Sequence, residues 1–358
     1  MLPRGSCLEG GVSRAGPPVK RIGFDARVGR RVSVGMATYI GEIVARMPRV
    51  APEFSYLVYD KGGNFGFAEQ IGMPLRMRRD RVDLTHYLAH YVPYLAGGRF
   101  VFTIHDLIHL RFERYFRAYI GPYYRTVVKK ACRNAARIIT SDRRTVADLV
   151  HYYDVDPAKI AVIPLAARDR FFTPVEPFSA ERPYILNVGN HRAHKDIPTL
   201  LAAWSALPAD LEVDLYLTGA DDFGGELQRL STPRRRAIAL GDVSDDELAA
   251  YYAGARALVH PALLEGFGLP FVEAMVVGCP VIATTDSIPE PLAPVSLQFE
   301  PRDAEAASAQ IERVLRDETL RRDLLERGRE VARSLTWERT ARATAEVYRS
   351  VFAEGGDV

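Results

Sequence analysis

The stretch HPALLEGFGLPFVEAMVVGCPVI, residues 260–282, decides how the chain is read. An apolar strand, Ala257–His260, is predicted to end where the stretch begins. A loop then carries Glu265-Gly266-Phe267-Gly268, and a helix starts near Leu269. Pro270 suits a first helical turn, where its missing N–H is not needed, and Gly278 suits the helix end. Glycines at 266 and 268 let backbone N–H groups approach a ligand closely, and the helix N-terminus adds unpaired donors and partial positive charge. Gly266, Phe267, Gly268 and Leu269 therefore form a seat suited to an anion such as diphosphate. Glu265 precedes the turn and Glu273 lies one turn inside the helix, so one can reach a sugar and the other a ribose further along. Taken alone, the same residues also fit a plain tight turn with a surface glutamate.

Outward from this stretch, short apolar runs alternate with amphipathic segments. Predicted strands are Arg21–Asp25, Phe54–Tyr59, Phe100–Ile104, Arg137–Thr140 and Ile160–Pro164, then Tyr184–Val188, Val213–Thr218, Ala237–Leu240, Ala257–His260 and Pro280–Ala283. Their near-continuous Val, Ile, Leu and Phe content suits strands covered on both faces, hence parallel sheet. The intervening segments, such as Ile197–Leu207 and Asp246–Ala255, have helical spacing. An α/β doubly wound layout in two Rossmann-like domains follows. Asp169, Thr173, Pro174, Glu176, Pro177 and Pro183 crowd between the two strand series. The expected division is a disordered leader (1–20), a first domain (21–168), a linker (169–183), a second domain (184–336) and a C-terminal helix and tail (337–358).

Composition sets outer bounds. The 358 residues, 47% apolar and 26% charged, suffice for two globular domains. No run approaches the ~18 apolar residues of a membrane span. Cys7, Cys132 and Cys279 are scattered and form no C-x-x-C, which fits a reducing, cytoplasmic setting and argues against structural zinc. Charge is lopsided: residues 1–180 hold 28 Lys and Arg against 16 Asp and Glu, and the remainder 19 against 29. The basic half invites an anionic partner such as a membrane surface, or a neutralising interface between halves. Arg76, Arg78, Arg79, Arg81, Arg111, Arg114, Arg117, Arg125, Lys129 and Lys130 interleave with Tyr115, Phe116, Tyr119, Tyr123 and Tyr124. That mixture suits either anionic lipid or a solvated helix face. His86/His90 and His105/His109 are each spaced i, i+4, but His105 leaves a strand and no carboxylate pair accompanies them, so no metal site is assigned. Asp154-Val155-Asp156 precedes Pro157 and reads as turn chemistry, not a metal ligand pair.

Several further motifs occur in order: Val34-Gly35-Met36-Ala37-Thr38-Tyr39-Ile40, Thr103-Ile104-His105-Asp106-Leu107, Leu186-Asn187-Val188-Gly189 leading to Lys195, Leu240-Gly241-Asp242-Val243-Ser244, and Ser287-Ile288-Pro289-Glu290. With the Glu-x7-Glu spacing of Glu265 and Glu273, the chain resembles the retaining glycosyltransferases of family 4 over roughly residues 22–352. The resemblance implies a GT-B fold, two Rossmann-like domains with parallel sheets facing across a deep cleft and a C-terminal helix returning to the first. It implies a nucleoside diphosphate sugar as donor, no cofactor, and a saccharide or lipid-linked acceptor, with no nucleic acid partner. Lys195 would neutralise the leaving diphosphate, beside Gly189, Asn190 and Arg192; His194 stands where the family often has arginine. His105, at a strand end, would bond the donor sugar across the cleft. Gly35, in a loop before a helix at Tyr39–Met47, would admit the diphosphate, although Ala37 replaces the second glycine of a Gly-x-Gly. Ser244 and Glu247 read as a capping box, with the base seated near Val243. A hexose of mannose or glucose type would be moved, in the cytoplasm or at the inner membrane face. A sugar-nucleotide 2-epimerase, a glycoside hydrolase using Glu265 and Glu273, and an inactive nucleotide-sugar binder remain open.

Overall fold

The computed structural model describes residues 19–27, 33–62 and 67–354; most of the expected leader lies outside these. Two six-stranded parallel sheets dominate. The first comprises β1 (Arg21–Asp25), β2 (Ser55–Tyr59), β3 (Leu84–Tyr87), β4 (Phe100–Thr103), β5 (Arg137–Thr140) and β6 (Ile160–Val162), in spatial order β2-β1-β3-β4-β5-β6. The second comprises β7 (Tyr184–Asn187), β8 (Asp214–Leu217), β9 (Ala237–Ala239), β10 (Leu258–His260), β11 (Val281–Thr284) and β12 (Leu297–Phe299), in order β12-β11-β10-β7-β8-β9. Every strand pair is parallel, as the continuous apolar runs require of strands covered on both faces.

Two strands were absent from the sequence expectation. β3, Leu84-Thr85-His86-Tyr87, mixes polar and apolar residues, yet all four are buried because it lies between β1 and β4. His86 is tolerated there because its ring bonds Tyr348 Oη at 2.5 Å and Thr103 Oγ1 at 2.9 Å. Burial pushes its pKa down to about 3, so it is neutral. β12 is a three-residue edge strand behind a proline-rich turn, too short to show a period.

The helices that position the site are α1 (Val34–Val50), α2 (Arg143–Tyr153), α3 (Ile197–Ser205), α4 (Asp245–Gly254), α5 (Leu269–Val277) and α6 (Trp337–Glu354). α1 begins five residues earlier than expected because Ser33 caps it, accepting the Met36 N–H. Gly35 is thus in the first helical turn and not in a loop. The capping box of α4 is present: Ser244 accepts from the Glu247 N–H and Glu247 accepts from the Ser244 N–H. Asp154 caps the C-terminus of α2 in a left-handed conformation, and Asp156 accepts the Ala158 N–H at 2.9 Å, the expected turn roles. The basic stretch after β4 is not one amphipathic helix but short helical pieces around a π-turn at Tyr124–Val128.

α6 crosses back to the first sheet. Its stripe Trp337, Ala341, Ala345, Tyr348 and Val351 is buried, at ~1.5–3 kcal/mol for each large side chain removed from water. Thr340 Oγ1 donates to the Pro164 carbonyl at 2.8 Å, and Arg99 donates to the Val351 carbonyl at 3.2 Å. Among the described residues no helix is long and apolar enough to cross a membrane.

Candidate active site

The carboxyl ends of β4 and β10, both interior strands, face one another. A Cβ added to Gly266 would lie 3.1 Å from Asp106 Oδ2 and 3.4 Å from His105 Cβ, so the loop after β10 touches the loop after β4. A Cβ on Gly35 would lie 3.5 Å from Leu269 Cδ1, which brings the N-termini of α1 and α5 together from opposite halves. Arg144, at the start of α2, donates to the backbone carbonyls of Asp286 and Ser287 on the far side.

Glu265 is the centre of the arrangement. Its Oε1 pairs with the Lys195 ammonium and lies 2.6 Å from His260 Nε2. Burial alone would push this carboxyl up, but the Lys195 charge and the His260 hydrogen bond hold it well below the ordinary carboxylate range. It is an anion fixed in place. Lys195 reaches it from a tight turn, Ala193–Lys195, that leaves β7 and closes through the left-handed Asp196 before α3. The Leu263 N–H donates to the His194 carbonyl at 2.9 Å and ties this turn to the Glu265 loop. The Lys195 ammonium is also felt by the Asp106 carboxyl on the facing loop.

The loop is built for close approach. Gly268 caps α5 with φ +74, and a Cβ there would fall 2.3 Å from the Phe271 ring. Gly266, Phe267, Gly268 and Leu269 are all buried, and Gly266 packs against the His105–Asp106 loop. Gly278 stops the helix at φ +106, as expected.

His105 lies just beyond β4. Its Nδ1 is 3.4 Å from Ser141 Oγ, its ring is edge-on to Tyr39 at 4.7 Å, and its buried Nε2 has no partner among the described residues. Burial lowers its pKa to about 4, leaving a neutral imidazole. Beside it, burial, reinforced by the charge of Glu265, lifts the Asp106 carboxyl to about 6 despite the Ile108 N–H.

Gly189 has φ +149 and donates its N–H to Thr218 Oγ1 at 3.1 Å. Asn190 is exposed and accepts the Arg192 N–H at 3.3 Å; Arg192 is exposed and its charge is felt by Tyr91 and His109 across the cleft. His194 is buried and stacked on Phe116 at 6.1 Å. Burial and the neighbouring Lys195 hold its pKa down at about 4, so it is no substitute for a second cation. Val243 precedes the cap of α4, beyond the carboxyl end of β9. Glu273 is buried in α5, with Arg168 Nε at 3.1 Å. Burial outweighs that guanidinium and lifts its carboxyl to about 7. Glu265 and Glu273 thus share no hydrogen-bonding partner among the described residues. His86 is engaged on its strand with Tyr348 and Thr103, so the i, i+4 pair with His90 has no helix to converge on.

Residues 31–167 match Glycosyltransferase Family 4, and residues 169–331 match Glycosyl transferases group 1. The chain belongs to glycosyltransferase family 4. It is a glycosyltransferase of GT-B fold. O-antigen chain mannosyltransferase B of Escherichia coli is 28% identical over 287 residues, covering 75% of each chain. The MMP alpha-(1->4)-mannosyltransferase of Mycolicibacterium hassiacum is 28% identical over 238 residues, 63% of this chain and 56% of that one. Sucrose-phosphate synthase from Thermosynechococcus elongatus superposes with TM-score 0.76 at 21% identity, over 94% of this chain and all of that one. HepE of Anabaena, solved with UDP-glucose, superposes with TM-score 0.70 at 16% identity, over 92% of this chain and 99% of that one.

Sequence reasoning on this glycosyltransferase missed His260, Arg168 and Arg144. His260 carried a signal, a polar residue ending a buried strand five positions before Glu265. Arg168 follows the buried Leu165-Ala166-Ala167, where an unpaired cation would be costly. Arg144 gave none, because its partners are backbone carbonyls of the other half.

Proposed function

We propose that this glycosyltransferase moves a hexose, mannose in the first instance, from a nucleoside diphosphate donor to a saccharide or lipid-linked acceptor, with retention and without a metal ion. The observation that carries this reading is Glu265 fixed between Lys195 and His260 beside the Gly266–Gly268 loop, with the unpartnered Nε2 of His105 on the facing loop. Residues 184–336 would hold the donor: base near Val243, ribose on Glu273, diphosphate on Lys195, Gly189, Asn190, Arg192 and the loop amides. Residues 21–168 would hold the acceptor. Lys195 and the loop amides stabilise the charge that develops on the departing diphosphate, the role a divalent ion has elsewhere. Glu265 is occupied by its cation and is better suited to hold sugar hydroxyls than to attack the anomeric carbon. A front-face route follows, in which the departing diphosphate takes the acceptor proton. Mannose is favoured because both named relatives are mannosyltransferases.

The exposed Tyr94, Leu95, Tyr115 and Tyr119, among Arg114, Arg117 and Lys130, would rest on anionic lipid at the inner face of the membrane. Incubation with GDP-mannose, UDP-glucose and UDP-galactose, with and without lipid-linked saccharide, tests the reaction. Transfer, or slow donor hydrolysis without acceptor, with an axial product anomer from an axial donor supports it. Donor recovered as its 2-epimer, or no turnover of any donor, contradicts it.

A further inference from the structure

The segment joining the sheets reaches both halves. Both oxygens of Asp169 accept from one terminal nitrogen of Arg46 of α1, at 2.7 and 2.8 Å, while Arg168 and Arg170 turn the other way, onto the second domain. Arg170 pairs with the exposed Asp246. Arg168 goes deeper: Nε lies 3.1 Å from Glu273 Oε1 and the terminal nitrogen 2.5 Å from Asp245 Oδ1, with the guanidinium over the Phe171 ring at 5.0 Å. Phe171 is itself buried, edge-on to Tyr252 at 5.9 Å. The fork is therefore gripped at both ends and stacked on its face, with little freedom to swing.

Among the described residues, Arg168 is the one hydrogen-bonding partner of the Glu273 side chain. The other charged or titratable groups that face Glu273 are Asp245, which repels it, and the buried Tyr252, whose hydroxyl has no partner. We propose that Arg168 is a positioning residue for donor binding: it opposes protonation of Glu273 and engages one of its oxygens, leaving the other to accept hydrogen bonds from the nucleotide's ribose. The inference rests on the reading of Glu273 as the ribose carboxylate. Its physical content is that burial raises a carboxyl's pKa and a fixed cation beside it draws the pKa back down. A protonated Glu273 is the poorer acceptor for two hydroxyls.

The sign follows from the raised pKa of about 7. Donor binding that selects the anion strengthens as pH rises through that value. Arg168→Gln removes the opposing cation and moves the midpoint upward. A shift of about one unit cuts the ionised fraction at pH 7 from about one half to one eleventh, about fivefold weaker binding.

The test is calorimetric titration of the full chain with UDP, GDP and ADP from pH 5.5 to 8.5, then of the tightest binder against its 2′-deoxy counterpart. Titration of the phosphate is common to all variants and cancels between them. R168Q is expected to show the raised midpoint and a reduced preference for the ribonucleotide. R168K keeps the charge without the fork and is expected to keep the midpoint while losing ribose preference, which a merely structural role would not separate. R170Q, one pair further out, is expected to match the wild type. If R168Q proves unfolded by its melting curve, the R168K separation decides. Wild-type binding with both Arg168 variants unmoved in midpoint and in ribose preference overturns the Arg168 assignment alone. Absence of any ribose preference in the wild type overturns the ribose reading of Glu273, and the Arg168 assignment with it.

Discussion

Replacing Lys195 by alanine isolates the pair at the centre of the site. Both side chains are 12% exposed, so solvent screens their attraction little, and removal of the ammonium leaves Glu265 with His260 as its hydrogen-bond partner. Breaking a buried ion pair by deleting one member costs ~3–5 kcal/mol, because the other charge stays desolvated. Melting near 2–4 °C per kcal/mol for a domain of this size puts K195A roughly 6–20 °C below wild type at pH 7.5. The double variant K195A/E265Q carries no orphaned charge and should recover at least half of that loss, a coupling that additive sites would not show. The pH dependence has a defined sign. Wild-type Glu265 titrates below its unfolded value, so its contribution is present above the ordinary carboxylate range and fades as pH falls toward the depressed value. In K195A that contribution is gone, so the two melting curves should converge as the pH drops from 5 toward 3. Differential scanning calorimetry of wild type, K195A, E265Q and the double variant across that range reads all of this. Equal stability of K195A and wild type, or strictly additive losses in the double variant, would refute the reasoning by showing the pair to be a solvated contact.

Other outcomes follow from single contacts. Tyr348→Phe removes the hydroxyl that bonds buried His86, so it should cost ~1–3 kcal/mol, read as a lowered melting temperature with little change in donor affinity. His260→Phe withdraws the donor from Glu265 while keeping bulk; kcat should fall on the order of tenfold or more, with His260→Gln intermediate, measured in steady-state transfer. His105→Ala should lower kcat by roughly 10²-fold and leave the nucleotide Kd within about twofold, since the ring lies across the crevice from the proposed donor phosphates. Gly268→Ala forces a side chain into the Phe271 ring at positive φ and should abolish donor binding before it unfolds the protein, checked by calorimetric titration alongside a melt.

Much of the fold was legible because parallel strands buried on both faces leave continuous apolar runs, and because Pro270 and Gly278 mark the ends of α5. β3 escaped because His86 and Thr85 break the run; their burial depends on Tyr348 and Met77, far away in sequence or on another element. The start of α1 was set too late because Gly35 suggested a loop, whereas the Ser33 cap begins the helix at Val34. The glycine turn at Gly266–Gly268 and the helix start behind it were readable as local backbone geometry. What Lys195 touches was not: the residues that fix Glu265 come from β7, β10 and the turns after them, a juxtaposition that only the second sheet creates. Arg168 was hidden for the same reason, since its partners begin 77 residues further on.

The proposal that Lys195 and the loop amides receive the expelled diphosphate meets its most direct test in the turnover number of wild type and K195A, each assayed in excess EDTA. Unchanged wild-type turnover under chelation, with K195A slower by on the order of 10²–10³-fold, is the expected result. Wild-type activity that vanishes with EDTA and returns with Mn²⁺, or K195A turning over at the wild-type rate, would contradict it.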